Sequence, residues 1–208
     1  MNTMEFSGYV PLCEQYNGLA QSFYQQYLDA KEQKRDAMCL LQSAICAVVF
    51  EAFAIEAYVN FFGAYTMGDD EFYKNFESGE RGKRYSTIEK MKLFCKGENK
   101  KPYPTGGIHF SILKGLLSKR DKLAHSKPRA HTLHKDDSSN SDYLVMMSEI
   151  SFVYDNLDKE MNLYAEVKSN MSAACNVVEP ITDMLCRSAQ FMSNLATEML
   201  TGISQPEG

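Results

Sequence analysis

An arginine and a histidine lie five residues apart in the segment LLSKRDKLAHSKP, which spans residues 116–128. Asp121 follows Arg120 directly, and His125 comes after Leu-Ala. The apolar spacing before this segment predicts a helix over 108–125, so both side chains belong to its C-terminal end. Basic residues near a helix C-terminus are also favoured by the helix dipole alone. The pair therefore has a structural interpretation as well as a chemical one.

The spacing of the pair limits its geometry. On an ideal helix, a five-residue offset places Arg120 and His125 about 140° apart, so they do not share a face. Pro128 follows three residues later, and we expect the last turn to loosen there and let the imidazole move. Asp121 lies four residues before His125, and neighbours at this spacing share a helix face. Its carboxylate is therefore predicted to orient the imidazole for proton transfer.

These residue types suit RNA cleavage without a metal. That reaction needs one group to take the 2′-hydroxyl proton, another to protonate the leaving oxygen, and a cation to stabilise the phosphorane. His125 supplies one proton-transfer group, and Arg120 supplies a bidentate clamp on the phosphate. A single copy of the pair lacks the second proton-transfer group. A symmetric homodimer that brings two copies together would supply it.

Positive charge is concentrated around the pair. Between residues 114 and 135 the chain has seven Lys or Arg residues and one acidic residue, a net charge of +6, so the remainder of the chain carries −11. A basic segment on an acidic body focuses an anionic ligand locally, although a solvated loop has the same composition. The basic side chains that we expect to contact RNA are Lys119, Lys122, Lys127 and Arg129.

Helical periodicity runs through nearly the whole chain, and no segment alternates strongly enough to predict a strand. We expect an all-α antiparallel bundle, with a single domain over 1–201 and a flexible tail over 202–208. The predicted helix over 36–65 is apolar on most sides and should be central. The other predicted helices are 14–38, 85–97 (capped by Ser86 or Thr87), 108–125, 143–170 and 173–201.

The composition favours a cytoplasmic protein. Six scattered cysteines without a C-x-x-C motif indicate reduced thiols, several of them buried. The first residues have no basic start or uninterrupted apolar run, so no secretory signal is predicted. The segment 43–65 is apolar enough to suggest a membrane helix, but Glu51, Glu56 and Asn60 favour a buried helix of a soluble protein. We expect no membrane partner, metal or cofactor.

Two carboxylates on the most apolar helix need partners. The simplest expectation is that Glu51 and Glu56 each cap a neighbouring helix or pair with a core lysine or arginine. For Glu51 we also expect a supporting role at the candidate site, through a salt bridge that fixes Arg120.

Two stretches of the chain resemble the HEPN superfamily. LLSKRDKLAHSKP resembles its R-x-x-x-x-H motif, in which a polar residue follows the arginine. VVFEAFAIEAYVN, residues 48–60, resembles the EAF-like helix found early in many of these domains, whose acidic residue, matched by Glu51, points towards the arginine and histidine. The toxin branch that is paired with a nucleotidyltransferase antitoxin usually has a tyrosine at the position of Lys127, so regulation through that tyrosine is not expected here.

The resemblance implies a compact helical bundle that dimerises with the two motifs facing each other. It implies a metal-independent endoribonuclease of the toxin or antiviral-defence type, with Arg120 and His125 catalytic and Asp121 and Glu51 supporting. Its partners would be an RNA substrate, a second copy of the chain, and an antitoxin or regulatory protein. The alternatives are a catalytically inactive module that binds nucleotides, RNA or protein, and an unrelated helical scaffold.

Overall fold

Helices make up all the regular structure in the residues that the structure describes, which confirms the predicted all-α class. The structure, a computed structural model, describes residues 11–77, 85–125 and 151–202. The helices are α1 (Leu12–Glu32), α2 (Ala37–Met67), α3 (Asp69–Phe72), α4 (Thr87–Phe94), α5 (Ile108–Ala124), α6 (Leu157–Glu160), α7 (Leu163–Cys175) and α8 (Pro180–Gly202). A π-helical turn over Tyr73–Glu77 extends α3, and a 3-10 turn over Ser151–Tyr154 precedes α6.

Helix α2 is central, as its sequence predicts. Its start is fixed by Asp36, whose carboxylate accepts hydrogen bonds from the backbone N–H groups of Met38 and Cys39. Helices α1, α4, α5 and α7 pack against it. Buried residues recur along its whole length, from Leu41 to Phe62, and lie on most of its sides. Most side chains on α2, including polar ones, are therefore at least partly buried against other helices.

Helix α4 runs alongside α2 in the same direction. Three contacts on successive turns set this register: Thr87 Oγ1 with Glu56 Oε1 at 3.1 Å, Lys90 Nζ with Asn60 Oδ1 at 2.8 Å, and the Phe94 ring against Gly63. Ser86 caps α4 in a capping box with Glu89, which confirms one of the two predicted caps. The register places the first turn of α4 beside Glu56.

The C-terminal helices differ from the predicted ones. The described part of the predicted helix over 143–170 is interrupted at Asn156, which has a left-handed backbone (φ +60°). Helix α7 then runs through the predicted break and ends at Cys175, and the left-handed Asn176 that caps it lies four residues before Pro180, which opens α8. Asparagine tolerates this conformation and proline suits the first helical turn, so these residues, rather than hydrophobic spacing, decide the boundaries. The predictions for residues 126–150 and most of the tail lie outside the described residues.

By length and composition alone, α2 is long and apolar enough to cross a membrane, and it is the single such helix among the described residues. Its polar side chains make contacts inside the protein. Asn60 accepts a hydrogen bond from Lys90, Glu51 accepts one from a backbone N–H, and Glu56 pairs with an arginine.

Candidate functional site

Helix α5 carries Arg120 and ends at Ala124, immediately before His125. Ile112, Leu113 and Leu116 are buried and fasten the helix to the core. The backbone N–H of His125 donates a hydrogen bond of 2.9 Å to the Asp121 carbonyl, and its own backbone (φ −116°, ψ 15°) leaves the helix. The predicted helix end at the arginine–histidine segment is therefore confirmed.

Arg120 forms an ion pair with Glu56 of α2. The pair joins Arg120 Nη2 to Glu56 Oε1, and the two side chains are 23% and 27% exposed. Thr87 Oγ1 of α4 donates to the same carboxylate oxygen. Three helices thus meet at one half-buried carboxylate. Glu56 pairs with an arginine, as the simplest expectation for it predicts, and it is the acid that holds Arg120.

The predicted salt bridge between Glu51 and Arg120 is wrong. Glu51 is fully buried, and its Oε1 accepts a hydrogen bond of 2.8 Å from the backbone N–H of Tyr164 in the first turn of α7. On α2, Glu51 and Glu56 are five residues apart and face directions about 140° apart, so one contacts α7 while the other contacts α5. Burial raises the pKa of Glu51 to about 7, against the lowering effect of the Tyr164 hydrogen bond.

Asp121 does not orient the imidazole of His125 as predicted. Its Oδ1 lies 3.4 Å from Arg120 Nε instead, at an angle that does not make a hydrogen bond. Within the described part of the chain, no hydrogen bond or ion pair links the His125 imidazole to Asp121 or Arg120. The imidazole is exposed. The guanidinium is a permanent positive charge, and it attracts the neighbouring carboxylate.

Lys119 is buried, which contradicts its predicted role in RNA binding. Its Nζ lies 2.8 and 3.0 Å from the two carboxylate oxygens of Glu160, and it also donates to the carbonyls of Val153 and Asp155. Lys119 follows Ile112 at helical spacing and lies on the same buried face of α5. Its ammonium therefore stabilises the packing of α5 against α6. The spacing of Ile112, Leu116 and Lys119 was a signal of this burial in the sequence.

The other basic residues have different positions. Lys122 is exposed, with its Nζ 5.3 Å from the centroid of the Phe152 ring, and it remains accessible to a ligand. Lys127 and Arg129 lie outside the described residues. Lys114 belongs to the basic segment but not to the predicted RNA-binding residues, and it is exposed on the same face of α5 as Ser118 and Asp121.

A cavity of about 320 Å³ lies beside Arg120, and we call it the Arg120 groove. Helix α2 contributes Glu56, α4 contributes its N-cap and first two residues, and α5 contributes one long face. Its lining residues are Glu56, Ser86, Thr87, Ile88, Lys114, Leu117, Ser118, Arg120 and Asp121. Lys114, Leu117, Ser118 and Asp121 follow the i, i+3, i+4, i+7 pattern, which was a signal in the sequence for this wall.

The groove combines two cations with two carboxylates. Lys114 and Arg120 suit an anionic group, whereas Glu56 and Asp121 already neutralise part of this charge. Arg120 Nε is buried and has no hydrogen-bond partner among the described residues. An incoming phosphate would compete with Glu56 for the guanidinium. The groove is therefore suited to an anion that exchanges with a carboxylate.

Searches of protein-family models, curated proteins and solved structures found no match to this chain.

Proposed function

We propose that the protein is a metal-independent endoribonuclease with a HEPN-like fold, acting as a toxin or a defence-type effector. Its site would combine Arg120 and His125 from both protomers of a homodimer. The observation that carries the proposal is the position of Arg120 on the wall of an open groove, with an exposed histidine just beyond the end of the same helix. A guanidinium and an imidazole that a ligand can reach are two of the three groups that this chemistry requires, and the second protomer would supply the third.

In the proposed reaction, an RNA phosphate enters the Arg120 groove and replaces the Glu56 carboxylate on the guanidinium. Arg120 then stabilises the charge that develops on the phosphorane. One His125 imidazole accepts the proton of the 2′-hydroxyl, and that of the second protomer protonates the 5′-oxygen that leaves. The two histidines divide the roles that a single copy cannot fill. Lys114 and Lys122 hold the neighbouring phosphates as point charges.

A specific observation favours a second function, a catalytically inactive module that binds nucleotides, RNA or a partner protein. Arg120 is already paired with Glu56, and among the described residues no hydrogen bond or ion pair joins it to the His125 imidazole. In that case the groove would hold an anionic group without breaking a bond, and His125 would be dispensable for binding.

The two functions are separated by incubating the purified protein with total RNA and with tRNA in EDTA. We expect the wild type to cleave, and the variants Arg120→Ala and His125→Ala to lose about 10²- to 10⁴-fold in rate. His109→Ala is the matched control, because His109 is an exposed histidine on the same helix that pairs with Glu166 away from the groove. Equal cleavage by the wild type and both site variants would contradict the proposal. Binding without cleavage would favour the inactive module.

A further inference from the structure

Two buried thiols meet at the far end of α4. Cys95 is the C-terminal cap of α4, and Cys175 is the last residue of α7. Their Sγ atoms are 3.7 Å apart, and the two residues are 1% and 5% exposed. Eighty positions of sequence separate them, so the contact is a product of the fold and not of local chain geometry. Neither takes part in the proposed reaction.

A positive charge beside this pair favours a thiolate, whereas the hydrogen bond that the Cys175 thiol donates to the Phe94 carbonyl at 3.4 Å favours the protonated form. Lys100 supplies the charge, and its Nζ donates to the same carbonyl at 2.9 Å. The hydrogen bond between the two sulfurs and then the charge of Lys100 lower the pKa of Cys175 to about 7, although burial opposes this. The same sulfur–sulfur hydrogen bond raises the pKa of Cys95, so Cys175 is the nucleophile of the two.

The backbone around the pair is already held together. The N–H of Lys101 donates a hydrogen bond of 2.7 Å to the carbonyl of Ala174, directly beside Cys175. A disulfide needs the sulfurs to approach to about 2.05 Å. The sulfurs start 3.7 Å apart and have to close the gap mainly by rotation of the two side chains, while the backbone bond keeps the chain segments in place.

We propose that Cys95 and Cys175 form a redox-active thiol pair, which a hydroperoxide oxidises to a disulfide linking the end of α4 to the end of α7. The Cys175 thiolate attacks one oxygen of hydrogen peroxide and the O–O bond breaks, which gives a sulfenic acid at Cys175 and hydroxide. The sulfur of Cys95 then attacks the Cys175 sulfur, the S–O bond breaks, and the hydroxide leaves with the Cys95 proton as water. In sum, two thiols and one peroxide give one disulfide and two waters.

Hydrogen peroxide is the class of oxidant that the burial of the pair favours. Both residues are almost fully covered, so a bulky disulfide oxidant such as glutathione disulfide cannot contact the sulfurs in the folded protein. Disulfides in reducing compartments are usually transient and redox-sensing. The proposed modification is independent of RNA cleavage, because it uses none of the residues of the Arg120 groove.

The test is peptide mapping of the full chain after treatment with hydrogen peroxide and alkylation of the remaining thiols. Trypsin leaves Cys95 in the peptide 93–96 but leaves Cys175 and Cys186 together in 169–187, and a second cleavage before Asp183 separates them. We expect 93–96 linked to the peptide that contains Cys175, with the link removed by dithiothreitol. Recovery of Cys95 and Cys175 in alkylated form, while the exposed Cys186 is oxidised, would overturn the proposal.

Two further readouts show whether the link forms in the native fold. Thermal unfolding of the oxidised wild type should shift upward, on the order of 5 °C, because a disulfide between distant residues restricts the unfolded chain. A fall in Tm would show that the link forms only in an unfolded chain, and it would overturn the proposal. Cys175→Ser should abolish the link and the shift, whereas the matched variant Cys186→Ser, at an exposed cysteine, should retain both.

Discussion

Two glutamates on one helix have different roles because of the direction each faces. Glu56 shares its carboxylate between Arg120 and Thr87 at the edge of the groove, whereas Glu51 caps α7 from a position without solvent contact. A half-exposed carboxylate exchanges its partner at low cost, while a buried one does not. Glu56 is therefore the residue through which ligand binding at Arg120 should be controlled, and Glu51 affects stability.

Glu56→Gln should tighten the binding of single-stranded RNA. The amide keeps the size of the side chain and its acceptor oxygen but removes a negative charge beside Arg120, so we expect a gain of about 3- to 10-fold at low salt that shrinks at high salt. Fluorescence anisotropy with a labelled RNA measures it. Glu98→Gln makes the same charge change at an exposed turn and is the control. Binding as weak as that of Arg120→Ala would mean that Glu56 positions the arginine for the ligand.

Glu51 should make the protein less stable as the pH rises from about 4.5 to about 7. Its pKa is raised in the folded state, to about 7, by burial, so within this window the folded protein retains a proton that the unfolded chain has lost. The free energy of unfolding therefore falls with pH here and levels off above it. The Glu51→Gln variant has no titrating carboxyl at this position. The difference between its free energy of unfolding and that of the wild type should therefore shift in favour of the variant, by on the order of 3 kcal/mol, between pH 4.5 and pH 8.

Urea unfolding of both proteins at the two pH values checks this. The pKa of Glu160 is also raised, chiefly by burial, and it adds a dependence of the same sign in both proteins, so the difference between them isolates Glu51. If the free energies of unfolding of the wild type and the variant differ by the same amount at both pH values, Glu51 is ionised in the folded protein.

At the scale of the helices, Lys119 fastens α5 to α6 and to the 3-10 turn. Lys119→Met would leave the carboxylate of Glu160, which is 1% exposed, without its partner, and we expect a loss of about 3–5 kcal/mol. Lys122→Met, on the exposed side of α5, should change the free energy of unfolding by about 0.5 kcal/mol or less. Urea unfolding compares the two. A stable Lys119→Met variant with weakened RNA binding would restore Lys119 to the RNA-binding residues.

Gly63 allows α4 to lie close against α2. A Cβ at this position would come within 2.6 Å of both the Phe72 and Phe94 rings, and these rings are held by Phe76, whose centroid lies 5.6 and 5.0 Å from theirs. Gly63→Ala should therefore cost about 1–3 kcal/mol of stability. Gly115→Ala, in the open on α5, should gain about 0.5–1 kcal/mol by the helix propensity of alanine. Equal urea midpoints for the two variants would contradict this account.

Much of this helical arrangement could be predicted from the sequence, because it depends on local signals. The apolar length of α2, the Ser86 cap and the helix end before His125 all follow from spacing and capping chemistry. The partners of the two glutamates could not be predicted, because α2 is apolar on most sides and offers no polar face to orient it. The charge of Lys119 predicts an RNA-binding residue, but its position on the apolar stripe of α5 buries it instead.

At the scale of the whole molecule, the charge is divided between an acidic body and a basic segment. The net charge of −5 disfavours generic nucleic-acid binding, whereas the +6 segment favours an anionic ligand locally. The structure places Lys119 inside the fold, so less of this positive charge is available to such a ligand than the sequence indicates. A second copy of the chain would double the accessible charge around one composite site.

The proposed composite site predicts how mixed dimers behave. If each cleavage event uses arginine and histidine from both protomers, a dimer of one wild-type and one Arg120→Ala protomer should lose most of its activity, well below half of the wild-type rate. Co-expression with two different affinity tags and sequential purification isolates the mixed dimer, and cleavage of a labelled RNA in EDTA measures it. A mixed dimer that contains one His109→Ala protomer is the control and should have wild-type activity. Half of the wild-type activity in the Arg120→Ala mixed dimer would show two independent sites. Full activity would rule out a shared site, because a site that needs the arginine of both protomers cannot lose one of them without effect.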